Sequence, residues 1–172
     1  MEKFGFAAVA VDAGWAAEPL RVDAPPFRAV YAAAGELRVP VYLTVSGSVG
    51  PDIEYSNPVA IDRAAAAFPA TRFVVVHAAW PWVHQMLGVA FKRPNVFLLP
   101  DVYGLLGMPG ADQYAAAARG FLRERVLFGS SYPVGDPVQM VEGYQRLGLP
   151  ADVLEDVMFK NAGALLGIAD SA

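Results

Sequence analysis

The chain has 172 residues, 55% of them hydrophobic, a formal charge of −4 and no cysteine. That is enough apolar material for one domain with a real core, which excludes disorder, and the scattered basic residues give neither nucleic acid nor an anionic membrane a patch to hold. The lack of thiols removes disulfides, thiolate metal sites and a cysteine nucleophile together, so a small molecule or another protein is the expected partner and any metal needs histidine and carboxylate ligands.

The start, Met1-Glu2-Lys3-Phe4-Gly5-Phe6, lacks the basic flank and long apolar core of a secretion signal, so a cytoplasmic location is expected. No apolar run approaches the ~20 residues that cross a bilayer. Five runs rich in β-branched residues, at 6–12, 40–45, 72–77, 95–100 and 125–130, alternate with helical or alanine-rich stretches. That alternation is the pattern of βα units around a parallel sheet.

The first run ends at Asp12 in a loop containing Gly14; Pro25 and Pro26 open a helix through Arg38, and Pro40 starts the second strand. After Val41 to Val45 the segment Ser46-Gly-Ser-Val-Gly-Pro51 reads as loop. Asn57 then caps a helix that has Pro58 in its first turn and ends near Phe68. The third run, Phe73-Val-Val-Val-His77, is apolar on both faces, as parallel strands covered on both sides are, and it closes on one of only two histidines. His77 therefore falls at the carboxyl edge of the sheet, where parallel α/β folds keep their chemistry.

A helix from Trp82 to Arg93, with Val83, Met86, Leu87 and Ala90 on one face, is stopped by Pro94 and followed by a strand from Val96 to Leu99. A long loop with Pro100, Gly104, Gly107, Pro109 and Gly110 leads to a helix from Ala111 to Leu122 and a fifth strand, Val126 to Phe128. Helices at 137–147 and 151–159 and a short apolar tail complete the chain. A closed barrel takes eight strands and typically ~250 residues, whereas an open doubly wound sheet can stop at five, and periodicity does not choose between them.

Four stretches bear on that choice. Phe68-Pro-Ala-Thr-Arg-Phe-Val-Val-Val-His77 with Trp80-Pro-Trp82, then Arg93-Pro-Asn-Val-Phe-Leu98, then Arg125-Val-Leu-Phe-Gly-Ser-Ser-Tyr-Pro133, and the closing Asn161-Ala162 with Leu165-Leu-Gly167, occur in one order and spacing. In these the chain resembles the amidohydrolase-related family of metal-dependent hydrolases and decarboxylases, the amidohydrolase 2 group. The resemblance implies an α/β fold: an incomplete (β/α)8 TIM-barrel-like domain over residues 1–172, with about five parallel units matching strands four to eight. It also implies departures. The family's first strand with its His-x-His metal pair has no counterpart, Thr44 stands where a metal-binding histidine ends a strand, and Ser131 stands where the last strand usually supplies aspartate.

A catalytic zinc takes about three protein ligands at roughly 2.0–2.2 Å, and a hydroxyl is a weak substitute for imidazole or carboxylate. His84, seven residues after His77, falls about two turns into the next helix rather than at the strand mouth. No cofactor is expected from this chain alone, and zinc only if ligands come from elsewhere.

His77 remains the expected catalytic residue, as a general base or as a donor to a carbonyl, because an ordinary imidazole exchanges its proton near neutrality. Trp80 or Trp82 is expected to contact ligand, the other packing on the helix, with Trp80 preferred. Asp101 and Tyr103 follow the fourth strand and share the mouth with His77, although Asp101 after Pro100 also reads as a turn former and Tyr103 as a space filler. Asp12, Thr44 and Ser131 end the remaining strands and complete the expected ligand-binding set. Tyr55 and Asn57 belong to a loop that could cover the pocket. Gly47 to Gly50 lacks the order and the lysine of a phosphate loop, and Gly-Ser-Ser-Tyr-Pro is no nucleophile elbow.

Two functions follow. One is hydrolysis or nonoxidative decarboxylation of a small organic acid, amide or ester. The other is a non-catalytic ligand-binding or subunit-assembly role, in which a homodimer covers the two open sheet edges.

Overall fold

The computed structural model describes residues 5–105 and 107–168. Met1 to Phe4, read above for a secretion signal, and Leu106 of the long loop lie outside them. Four strands, β1 (Val9–Val11), β2 (Val41–Thr44), β3 (Phe73–Val76) and β4 (Val96–Leu99), pair in parallel in the order β1-β2-β3-β4. A single parallel bridge, Leu98 to Val126, adds the fifth position. A doubly wound sheet reverses its strand order at a switch point, and here none occurs, so the sheet is a sector of a barrel.

Strand alternation explains the apolar runs. Val41, Leu43, Phe73, Val75, Val96 and Leu98 are fully buried in the main core beneath the helices. Val74 and Leu127 belong to a second cluster, with Tyr42, Phe97 and Leu99 half-buried around them. Helices α1 (Arg28–Glu36), α2 (Pro58–Ala67), α3 (Val83–Lys92), α4 (Ala111–Arg119) and α5 (Pro137–Gln145) form the outer layer, followed by α6 (Ala151–Glu155) and α7 (Asn161–Leu166). The expected cap forms: the Asn57 side-chain oxygen Oδ1 accepts from the Val59 N–H at 3.0 Å ahead of Pro58. Among the described residues no helix is long and apolar enough to cross a membrane.

The amino ends of the strands are tied by side chains that donate to several carbonyls at once. Asn95 reaches the carbonyls of Ala65, Phe68 and Thr71 at 3.2, 3.2 and 2.9 Å. Arg125 reaches those of Ala90, Arg93 and Val96 at 2.6, 2.9 and 3.3 Å, and Asn161 those of Arg123 and Val126 at 2.7 and 2.9 Å. All three belong to the stretches that carry the family resemblance. Their work is to clamp the floor of the sheet, since backbone carbonyls buried there need partners.

Four elements depart from the sequence reading. The fifth strand shrinks to the bridge at Val126, because the Val126 carbonyl is taken by Asn161 and the Phe128 N–H by the Val157 carbonyl at 2.9 Å. The first strand shortens to three residues, since β1 pairs only with β2 among the described residues. Pro25 and Pro26 open a 3-10 turn, Pro25–Phe27, before α1 begins. The last predicted helix widens into a π turn, Asp156–Lys160, and the apolar tail becomes α7.

Candidate active site

The carboxyl ends of the strands place Asp12, Thr44, His77, Asp101 and Ser131 along one rim. Asp12 follows Val11 and Thr44 follows Leu43, and Val11 and Leu43 are partners in register, so the two side chains meet and the Thr44 hydroxyl donates to the Asp12 carboxylate. His77, with a side chain 18% exposed, brings Nδ1 within 2.6 Å of Oδ2 of Asp101, whose side chain is wholly buried. The approach lies off the hydrogen-bond axis, and His77 Nδ1 and both Asp101 oxygens are otherwise without hydrogen-bond partners among the described residues.

The backbone that aims these groups is strained. His77, Asp101 and Ser131 have φ of +64°, +45° and +53°, and Ala78 and Ala79 continue the left-handed turn at +46° and +56°. Each such residue costs on the order of 1–2 kcal/mol without glycine's freedom, so the surrounding contacts must hold it. Two buried phenols do so: Tyr114 donates to the Ala78 carbonyl and Tyr144 to the Asp101 carbonyl, both at 3.1 Å. Burial, and then the nearby Asp101 charge, push both phenols far above the ordinary tyrosine range, so they remain donors. The Ser131 hydroxyl is likewise buried without a hydrogen-bond partner among the described residues. Left-handed backbone and orphaned polar atoms therefore coincide at three successive strand ends, a combination that marks sites of function more than of packing.

Aromatic rings wall the rim. Tyr103 sets its ring edge to face against His77, with centroids 5.7 Å apart, and Trp80 stacks on Tyr103 at 4.8 Å. The Trp80 indole donates to the Pro109 carbonyl and that of Trp82 to the Ile53 carbonyl, each at 3.1 Å, so the two tryptophans diverge and Trp80 joins the histidine cluster. Gly47 donates to the Trp80 carbonyl at 2.6 Å, and a Cβ there would lie 3.0 Å from the Pro81 ring, which is why the Ser46–Pro51 loop needs a glycine at that point.

The structure thus gathers His77, Asp101, Tyr103 and Trp80 into one cluster and Asp12 with Thr44 into a second. Asn57 is a helix cap, and Tyr55 lines a separate cleft of about 590 Å³ with Arg21, Asp23 and Glu54. His84 is exposed on α3. The supporting Tyr114 and Tyr144 escaped the sequence reading; the one signal for Tyr114 was a polar-tipped ring in an otherwise alanine-rich helix.

Among the described residues, the rim donors do not by themselves fit a divalent metal. Among the described residues no three histidine, aspartate or glutamate side chains converge, Asp12 is engaged by Thr44, and the hydroxyls of Thr44 and Ser131 are poor ligands.

A family model described as amidohydrolase matches residues 1–168. The chain belongs to the amidohydrolase family. Among solved structures, the chain is similar to an uncharacterized TIM-barrel protein from Bordetella bronchiseptica, 37% identical with a TM-score of 0.92, over 96% of this chain and 59% of that one. It is similar in fold to a dihydroxybenzoic acid decarboxylase from a Polaromonas species, solved with bound manganese and the inhibitor 2-nitroresorcinol; identity is 15%, TM-score 0.71, over 99% of this chain and 63% of that one. A putative 2-pyrone-4,6-dicarboxylic acid hydrolase from Pseudomonas putida is 19% identical with a TM-score of 0.72, over 99% and 67%. The chain spans about three fifths of the length of these relatives. No curated protein matches it.

Proposed function

We propose that this amidohydrolase acts on a small organic acid, amide or ester at the rim around His77, by hydrolysis or nonoxidative decarboxylation. The observation that carries the reading is the 2.6 Å approach of His77 Nδ1 to the buried Asp101 carboxylate. An anion behind an imidazole fixes the ring's orientation and tautomer, so Nδ1 holds its proton toward Asp101 and Nε2 serves the open side of the rim. Hydrogen bonds of this kind are often poorly aligned without substrate and tighten in the complex.

In hydrolysis, Nε2 takes the proton of the water that adds to the carbonyl carbon and returns it to the leaving group. In decarboxylation, the imidazole ring first takes a second proton at Nε2 from solvent and delivers it to the ring carbon of the substrate as that carbon's bond to the carboxylate breaks and carbon dioxide leaves. Tyr103 and Trp80 supply an aromatic wall against the body of the substrate. Asp12 and Thr44 offer hydrogen bonds to its polar groups. Asp101 acts through His77, since its side chain is wholly buried. A divalent metal enters this scheme only if its ligands come from outside this chain.

The test is turnover of a panel of small aromatic acids, amides and esters by the wild type, His77→Ala and Asp101→Asn. A positioned acid–base group contributes roughly 10²–10⁴-fold, so His77→Ala is expected to lose that much kcat, and Asp101→Asn to lose kcat with little change in KM. Undiminished turnover by His77→Ala refutes the proposal.

A further inference from the structure

The charges of this chain are sorted along its strands. β2, β3, β4 and the bridge at Val126 are each entered from an arginine, in turn Arg38, Arg72, Arg93 and Arg125. At the carboxyl ends the sign reverses. The loops 45–57, 77–82, 100–110 and 129–136 contain no lysine or arginine, while Asp52, Glu54, Asp101 and Asp136 lie in them. The loop 12–24 after β1 opens with Asp12, and its one cation, Arg21, is engaged by Asp23 at 3.4 Å and by Glu54 at 3.9 Å. Within this acidic rim the Asp101 carboxylate is wholly buried beside His77, with neither oxygen hydrogen-bonded among the described residues. Fixed charges of one sign around a cleft draw in the opposite charge and repel their own. An anion brought against His77 comes within about a Debye length, ~8–10 Å, of both Asp12 and Asp101.

We infer that this rim selects an amide or ester that carries an ammonium group and rejects the carboxylate counterpart, with Asp12 as the residue that recognises the cation. The inference rests on the rim around His77 being the substrate site, and within that reading it chooses the amide or ester over the organic acid. Asp12 has the means. The Thr44 hydroxyl donates to its Oδ1 and so orients the carboxylate, and the residue is exposed, so Oδ2 can accept a charge-assisted hydrogen bond from an ammonium. Asp12 follows β1 and His77 follows β3, with β2 between them. Two strand spacings amount to roughly 9.5 Å. With a contact of about 2.9 Å at each end, roughly 4 Å separates the ammonium from the carbonyl held at His77, the span of two intervening carbons.

The experiment is calorimetric titration of the 172-residue chain with β-alaninamide, butyramide and succinamate, which carry an ammonium, a methyl and a carboxylate at the same place on one amide. Affinity is expected to fall in that order, with at least tenfold between the first and the last, and the gap is expected to narrow as salt is raised. Asp12→Asn keeps an acceptor for the Thr44 hydroxyl while removing the charge, so the preference for β-alaninamide over butyramide is expected to shrink at least threefold. Turnover is read separately, on the 4-nitroanilides of the same three acyl groups. Binding in the expected order without hydrolysis supports the inference and removes only the catalytic role of His77. The inference is overturned if succinamate binds as tightly as β-alaninamide, if the preference is indifferent to salt, if Asp12→Asn leaves it intact, or if none of the three amides binds at millimolar concentration.

Discussion

Replacing Asn161 with alanine tests whether the floor clamp holds the fold. Asn161 is 7% exposed, and its amide donates to the carbonyls of Arg123 and Val126 at 2.7 and 2.9 Å. Each lost hydrogen bond costs about 1 kcal/mol net, and a carbonyl left buried without a partner costs roughly 1–3 kcal/mol. Val126 is 3% exposed and bears the full penalty, whereas Arg123 is half-buried and its carbonyl regains water. Alanine's better helix propensity returns about 0.5 kcal/mol at this position in α7. The net expectation is a loss of about 2 kcal/mol, which for a chain of this size lowers the melting temperature by roughly 4–8 °C. Urea denaturation followed by circular dichroism measures it, with an unchanged m-value confirming that only stability moved. A loss below about 0.5 kcal/mol refutes the account of Asn161 as a clamp.

Other changes probe the rim and the surface. Tyr144→Phe deletes the buried donor to the Asp101 carbonyl and is expected to cost about 1–1.5 kcal/mol in the same urea assay, and to lower turnover where His77 depends on Asp101. Ala78→Gly relieves one left-handed residue and is expected to raise stability by up to ~1 kcal/mol, with reduced kcat as the imidazole loosens; a thermal melt with no gain counts against strain at that turn. Asp62 bonds Arg93 at 2.6 Å and Lys92 at 3.3 Å, and the Arg93 hydrogen bond, then that of Lys92, hold its carboxyl below the ordinary 3.8. A depressed folded-state value stabilises at pH above the unfolded value and is lost as pH falls through the folded one. Asp62→Asn is therefore expected to cost about 0.5–1 kcal/mol at pH 7, a difference that vanishes in melts well below pH 4.

The parallel units were legible because the strands are apolar on both faces, and His77 was legible because it ends the most continuous of them. Its partner was not. Asp101 follows Pro100 as a turn former would, and only the left-handed backbone at both residues turns the two side chains together across β3 and β4. Trp80 and Trp82 carry the same local signal, and their divergence is decided by carbonyls 29 residues away in each case. The fifth strand was read too long because hydrogen bonds that leave a strand for a helix have no periodicity. Strand order was invisible for a similar reason, since alternation of elements is common to barrels and to open sheets.

The floor clamps have a consequence for how relatives of this chain are recognised. Asn95, Arg125 and Asn161 lie in the stretches that identify the family, yet they sit at the amino ends of the strands, the face of a barrel that governs stability. The signature therefore tracks inheritance of a scaffold. Two chains can share it in full while the side chains of the opposite rim differ, so a catalogue sorted by this signature groups proteins by ancestry and leaves their chemistry to be read one rim at a time.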